Sequence, residues 1–263
     1  MATIPCFQVD AFSDRAFAGN PAAVCLLDKG RPAKWMQSVA AEMNLSETAF
    51  VVPLKAGFGL RWFTPTVEVE LCGHATLAAA HVLWSEGVVA KKLELKFRSK
   101  SGALTASYRG GRVELDFPSR PPKKVRVPAA LQRSLGVKPK NVVSAADDLL
   151  VEVSSESVVR KIKPDFATMS KIKARGVIVT AKADRKHDFV SRFFCPAVGV
   201  DEDPVTGSAH CALAPYWGER LGRDRMWGYQ ASPRGGEVEV ETVGGRVLLR
   251  GDAVTVSRGQ LLC

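Results

Sequence analysis

Residues 61–70 read RWFTPTVEVE and residues 192–201 read RFFCPAVGVD, identical at the arginine, the second aromatic, the proline and both valines. Further along, GHATLAAA (73–80) aligns with GSAHCALA (207–214), and GALTASYRGGRVEL (102–115) with GEVEVETVGGRVLL (236–249). The offset is 131 residues for the first pair and 134 for the other two. A shift this nearly constant over three segments marks an internal duplication whose halves have ordinary domain size. Two similar lobes, 1–119 and 128–263, are therefore expected, related by a pseudo-twofold axis. The Pro-rich, charged stretch PSRPPKKVRVP (118–128) supplies the linker at about 120–127.

Local patterns agree between the halves. FGLRWFT, LELKFRS, ALTASYR and RVELDFP alternate as strands do, with Gly-Gly turns between them. PAKWMQSVAAEMN opens with a proline suited to a helix start, and HATLAAAHVLWSEG is an Ala/Leu-rich helix ending at Gly87. In the second half SAHCALAPYWGERLG takes the place of that central helix, with the hairpin GEVEVETVGGRVLL behind it. The fold class expected is α/β (α+β), two pseudo-symmetric lobes.

Composition narrows the function. A chain of 263 residues that is 46% apolar suits a folded protein. It has no apolar run of the roughly 18 residues a membrane span needs and no signal-peptide layout, so a soluble, cytoplasmic protein is expected. Six cysteines without a C-x-x-C pair or zinc spacing point to reduced thiols and no metal. The net charge of +10 is local: residues 120–186 hold 16 Lys/Arg against 6 Asp/Glu, and the remainder balances. Those cations alternate with apolar residues and lack interleaved aromatics, the pattern of a solvated face and not of a nucleic-acid surface.

Each half has a helix that begins at a glycine, Gly73-His74 and Gly207-Ser208. Helix starts present unpaired N–H groups and partial positive charge, and glycine lets a ligand approach the backbone. If the duplication axis brings both starts to one cleft, that cleft suits a small carboxylate. Just upstream of the second start, in VGVDEDPVTGSAHCALAPYW (198–217), stand Asp201, Glu202 and Asp203. Two readings of Asp203 stay open, compensation of the helix dipole and proton chemistry beside the cleft. In NLSETAFVV (44–52), alternation puts Glu47 on the face of Ala49 and Val51, where an apolar setting would raise a carboxyl pKa toward neutrality. The alternative is a polar Ser46-Glu47 turn.

Four motifs taken together, AGNPAAV (18–24), NLSETAFV, FTPTVEVELCGHATLAAA and EDPVTGSAH, resemble those of the phenazine-biosynthesis isomerase-like (PhzF-like) family, which shares the diaminopimelate epimerase fold. The resemblance spans nearly the whole chain. It implies lobes that each wrap a β-barrel-like sheet around a central helix, with a cofactor-free site in the interlobe cleft. It implies Glu47 as the acid/base residue, His74 and Asp203 as groups assisting the proton shuttle, and Gly73, Gly207 and Ser208 as carboxylate binders. Asn20 would line the same pocket. Epimerase relatives use a cysteine before each helix, whereas here Cys72 precedes Gly73 but Thr206 precedes Gly207. A hydroxyl is far too weak an acid to replace a thiolate, so two-thiol racemisation is not expected; Cys72 is read as a pocket or core residue and Cys211 as core. The expected activity is cofactor-independent proton relocation on a small carboxylate-bearing substrate. The alternative is a non-catalytic binding or regulatory protein that retains the fold. No nucleic-acid or membrane partner is expected, and a homodimer is allowed.

Overall fold

A computed structural model describes residues 3–262. The chain divides into two compact units, residues 1–116 with 250–263, and residues 117–249.

In the first unit, β1 (Ile4–Ala11), β2 (Asn20–Leu26), α1 (Ala33–Met43), β3 (Glu47–Pro53), β4 (Phe58–Phe63), β5 (Glu68–Val69), α2 (Gly73–Ser85), β6 (Leu95–Ser99), β7 (Gly102–Arg109) and β8 (Arg112–Pro118) follow in order. Strand β1 pairs antiparallel with β2, β2 runs parallel to β3, β3 pairs antiparallel with β4, and β4 runs parallel to β6. Helix α2 is apolar on every side and packs on β1, β2 and β3. A helix hydrophobic all round belongs in a core, and its alanines let the strands come close. Leu77 and Leu83 are fully buried there, each worth roughly 1.5–3 kcal/mol.

The second unit repeats these pairings. It comprises β9 (Lys123–Lys124), α3 (Ala129–Leu135), β10 (Asn141–Ala145), β11 (Asp148–Glu152), α4 (Glu156–Lys161), α5 (Phe166–Met169), β12 (Val177–Lys182), β13 (Phe189–Cys195), β14 (Val200–Asp203), α6 (Gly207–Leu221), β15 (Arg225–Gln230), β16 (Gly236–Val243) and β17 (Arg246–Gly251). Here β10–β11 is antiparallel, β11–β12 parallel, β12–β13 antiparallel and β13–β15 parallel, as in the first unit. Helices α3, α4 and α5, which apolar periodicity did not reveal, cover a separate cluster that includes Leu131, Val159, Met169 and Phe194. Ser155 and Asp165 cap two of them through their side chains.

The structure corrects three details of the repeat. First, Phe63 faces Glu68 across β4–β5 while Phe194 faces Glu202 across β13–β14. Glu68 therefore corresponds to Glu202 and Val69 to Asp203, so aligning VEVE with VGVD is out of step by three residues. The three extra residues are the 3₁₀ turn Pro196–Val198, where the first unit has a tighter Thr64–Val67 turn. Both glutamates take a paired arginine contact, Arg61 to Glu68 and Arg192 to Glu202.

Second, the last strand β18 (Ala253–Leu261) belongs to the first unit, pairing antiparallel with β1 along its whole length. The repeat had placed these residues in the second lobe. Arg112 to Asp252 and Arg250 to Glu114 fasten the return. Third, the stretch read as a linker is docked in the second unit. Ser119 N–H donates to Gly245 O, Arg120 N–H to Cys211 O, and β9 pairs with β10.

Candidate functional site

In the first unit the residues singled out from sequence converge on the start of α2. Cys72 is the N-cap, with extended φ and ψ, and His74 follows in the first turn. Glu47 is the first residue of β3, not part of a turn. Alternation is a poor guide to this strand, because Thr48 and Phe50 are as buried as Ala49 and Val51; β3 is covered on both faces, as strands with parallel neighbours are.

Glu47 Oε2 lies 3.1 Å from His74 Nε2. The contact lacks hydrogen-bond alignment, so both atoms are buried without a hydrogen-bond partner. The Glu47 side chain keeps 19% of its surface exposed while His74 keeps 5%, so a ligand can reach the carboxylate and not the ring behind it. On the other ring nitrogen, Asn20 Nδ2 lies 3.1 Å from Nδ1 and Cys72 Sγ 3.5 Å away. An amide offers a donor at one end and an acceptor at the other, so Asn20 can serve either protonation state of the ring. Gly19 sets Asn20 in place: its φ is +68°, and a Cβ there would lie 2.2 Å from Ala11 O, a place only glycine can occupy.

Burial and the nearby Glu47 charge push the Cys72 thiol up to about 11. It is therefore a neutral thiol near pH 7. Burial opposes a charge on His74, yet Cys72 and Glu47 outweigh it and carry the ring well above its ordinary pKa.

Cys72, His74 and Glu47 offer three possible metal ligands within 4.8 Å of one another. Cys72 faces Nδ1 and Glu47 faces Nε2 of the His74 ring.

In the second unit Thr206 caps α6 as Cys72 caps α2. Its hydroxyl donates to Asp203 Oδ2 at 2.5 Å. Buried Gln230, which sequence reading did not single out, binds this turn three ways. Its Oε1 accepts from Thr206 N–H, and its Nε2 donates to Asp203 O and to Thr206 Oγ1. Asp203 thus organises the turn into α6 by a side-chain bond. Ser208 Oγ accepts from Arg175 Nη2 at 3.0 Å. Arg175 is itself gripped at two points by Asp148, 2% exposed at the start of β11, whose carboxyl burial lifts although Arg175 draws it back. Neither Arg175 nor Asp148 was legible, because nothing in a lone Asp-Asp or Ala-Arg-Gly stretch marks a buried pair.

The repeat shows in the caps as well. Thr76 Oγ1 donates to Cys72 O, and His210 Nδ1 to Thr206 O at 2.8 Å. A carbonyl only accepts, so His210 carries its proton on Nδ1 and buries a bare Nε2. Burial brings its pKa down to about 4. Cys211, next along α6, is core as expected, 3% exposed.

Residues 9–259 match the phenazine biosynthesis-like protein family (PhzC-PhzF). The chain belongs to this family. Among phenazine biosynthesis-like relatives, an uncharacterized isomerase of Halalkalibacterium halodurans is 52% identical over all of both chains. A crystal structure of a PhzF-family protein from Enterococcus faecalis superposes with a TM-score of 0.96 at 42% identity, over all of both chains. A predicted epimerase from Pseudomonas aeruginosa, 22% identical over 99% of each chain, shares the fold at a TM-score of 0.77. The fold is the mixed α/β, epimerase-type fold of this isomerase family. No helix among the described residues is long and apolar enough to cross a membrane.

Proposed function

We propose that this chain is an isomerase that moves a proton between two carbons of a small carboxylate-bearing substrate, with Glu47 as the acid/base residue. The observation that carries the reading is the Glu47–His74 contact at 3.1 Å, backed on the far ring nitrogen by Asn20. The Glu47 carboxylate takes a proton from a carbon next to an unsaturated group. The electron pair of that C–H bond becomes part of a shifted double bond, and the far carbon accepts the proton back from Glu47. No electrons leave the substrate and no co-reactant enters. His74, in contact with the Glu47 carboxylate, keeps it oriented. Cys72, held as a thiol, is too weak an acid to take part as a thiolate. Backbone N–H groups at the α2 start, where Gly73 lets a ligand approach closely, are proposed to hold the substrate carboxylate.

The test is solvent-deuterium exchange, followed by NMR, into a panel of small unsaturated and hydroxylated carboxylates, with wild type and Glu47→Gln compared. Glutamine keeps shape and polarity but cannot accept the proton. Exchange slowed roughly 10²–10⁴-fold with ligand binding retained supports the assignment. Equal exchange in the two proteins overturns it and moves the role to Asp203 or His74, which Asp203→Asn and His74→Gln would then separate.

A further inference from the structure

The core of the first unit contains a second chemical feature, away from Glu47. Cys6 on β1 and Cys25 on β2 stand directly opposite each other in the antiparallel register. Opposed residues in such a pair point to the same face, with Cα atoms about 4.5–5.5 Å apart, inside the roughly 4.4–6.8 Å span that a disulfide accepts. Their sulfurs are already 3.5 Å apart, so a bond requires a contraction of only about 1.5 Å. Neither is in a disulfide, and both sit in a cluster with Ile4, Leu27, Met36 and Phe50.

We propose that Cys6 and Cys25 form a redox-active dithiol that hydrogen peroxide oxidises to a disulfide stapling β1 to β2. Cys6 is 9% exposed and Cys25 fully buried, so Cys6 is attacked first. Its contact with Cys25, which outweighs burial, draws its pKa down, and the reacting species is the thiolate. The Cys6 thiolate attacks the terminal peroxide oxygen, the O–O bond breaks, and Cys6 becomes a sulfenic acid while hydroxide takes up a proton to leave as water. The Cys25 sulfur then attacks the Cys6 sulfur. The S–S bond forms, the S–O bond breaks, and the departing hydroxide leaves as water with the Cys25 proton. Two thiols lose two electrons in all, and one peroxide is reduced to two waters. The resulting staple closes the chain from 6 to 25, which contains Asn20. The inference is independent of the isomerase reading.

Trypsin cleaves after Arg15 and Lys29 and so separates the two cysteines into peptides 1–15 and 16–29, neither of which has another cysteine. The full-length protein is treated with hydrogen peroxide, its remaining thiols are alkylated, and it is digested without reductant and mapped by mass spectrometry. The expected product is peptide 1–15 joined to 16–29, two hydrogens lighter than the sum of the two, released by dithiothreitol and absent from Cys25→Ser and Cys6→Ser. The oxidised protein is expected to melt roughly 5–10 °C higher than the reduced one. Full alkylation of both peptides after peroxide overturns the proposal, as does a different dominant pair or Cys6 passing to sulfinic acid with Cys25 left free. Should either serine variant fail to fold, the wild-type map alone still decides.

Discussion

His210 shows how one buried side chain fixes a pH dependence. Its Nδ1–H is committed to Thr206 O, its Nε2 is buried without a partner, and its pKa falls to about 4. Above about pH 6.5 the ring is neutral both folded and unfolded, and it contributes no slope. As pH falls from 6.5 toward 4 the unfolded chain binds a proton the folded one refuses, so stability is lost, by about 3 kcal/mol in all. In His210→Gln the side-chain amide can still donate to Thr206 O but binds no proton. Urea midpoints measured from pH 7 to pH 4 should fall less steeply for the variant, whatever its stability at pH 7; parallel curves would show that His210 titrates normally. Residue by residue, the sequence named Glu47, His74, Asn20 and Cys72, because they sit in short contiguous motifs. It missed Gln230, Arg175 and Asp148, whose partners lie 24, 33 and 27 positions away in the chain.

Among the elements, α6 carries a proline at position 215. Proline has no N–H to offer the Cys211 carbonyl one turn back. That carbonyl accepts the Arg120 N–H at 3.0 Å, one of the bonds that dock the stretch after β8. Pro215→Ala supplies a competing donor. Amide exchange at Arg120 should then quicken about 5- to 10-fold, the loss of one hydrogen bond near 1 kcal/mol, while exchange at residue 215 becomes measurable and slow. Unchanged protection at Arg120 would mean that the docking has another cause. A proline within an apolar helical run was visible in the sequence; the donor it serves was not.

At the scale of the molecule, the return of β18 to β1 decides what can fold alone. Residues 1–119 contain one complete copy of the repeat yet lack the strand that covers the outer edge of β1, and an uncovered edge invites aggregation. That fragment should be insoluble or unfold without cooperativity. Residues 250–263 joined by a flexible Gly-Ser linker ahead of 3–116 should give a soluble product with a single denaturation transition. Cooperative folding of 1–119 by itself, followed by circular dichroism in urea, would show that β18 is dispensable. The basic segment meets the same scale of description: Lys140–Glu152, Arg160–Glu156, Arg175–Asp148 and Lys186–Glu237 pair part of its charge.

The sequence by itself determined the duplication, the two central helices with their glycine starts, most of the strands and the short motifs that contain Glu47 and His74. These follow from residues near one another in the chain, where periodicity, turn chemistry and local identity carry the information. Tertiary structure alone decided that the last strand crosses back to β1, that the supposed linker donates to the Cys211 carbonyl of α6, that burial lifts the Cys72 thiol, and that Cys6 faces Cys25. Each of these depends on which distant backbone or side chain arrives alongside, and on how much water that neighbour removes, neither of which the order of residues states.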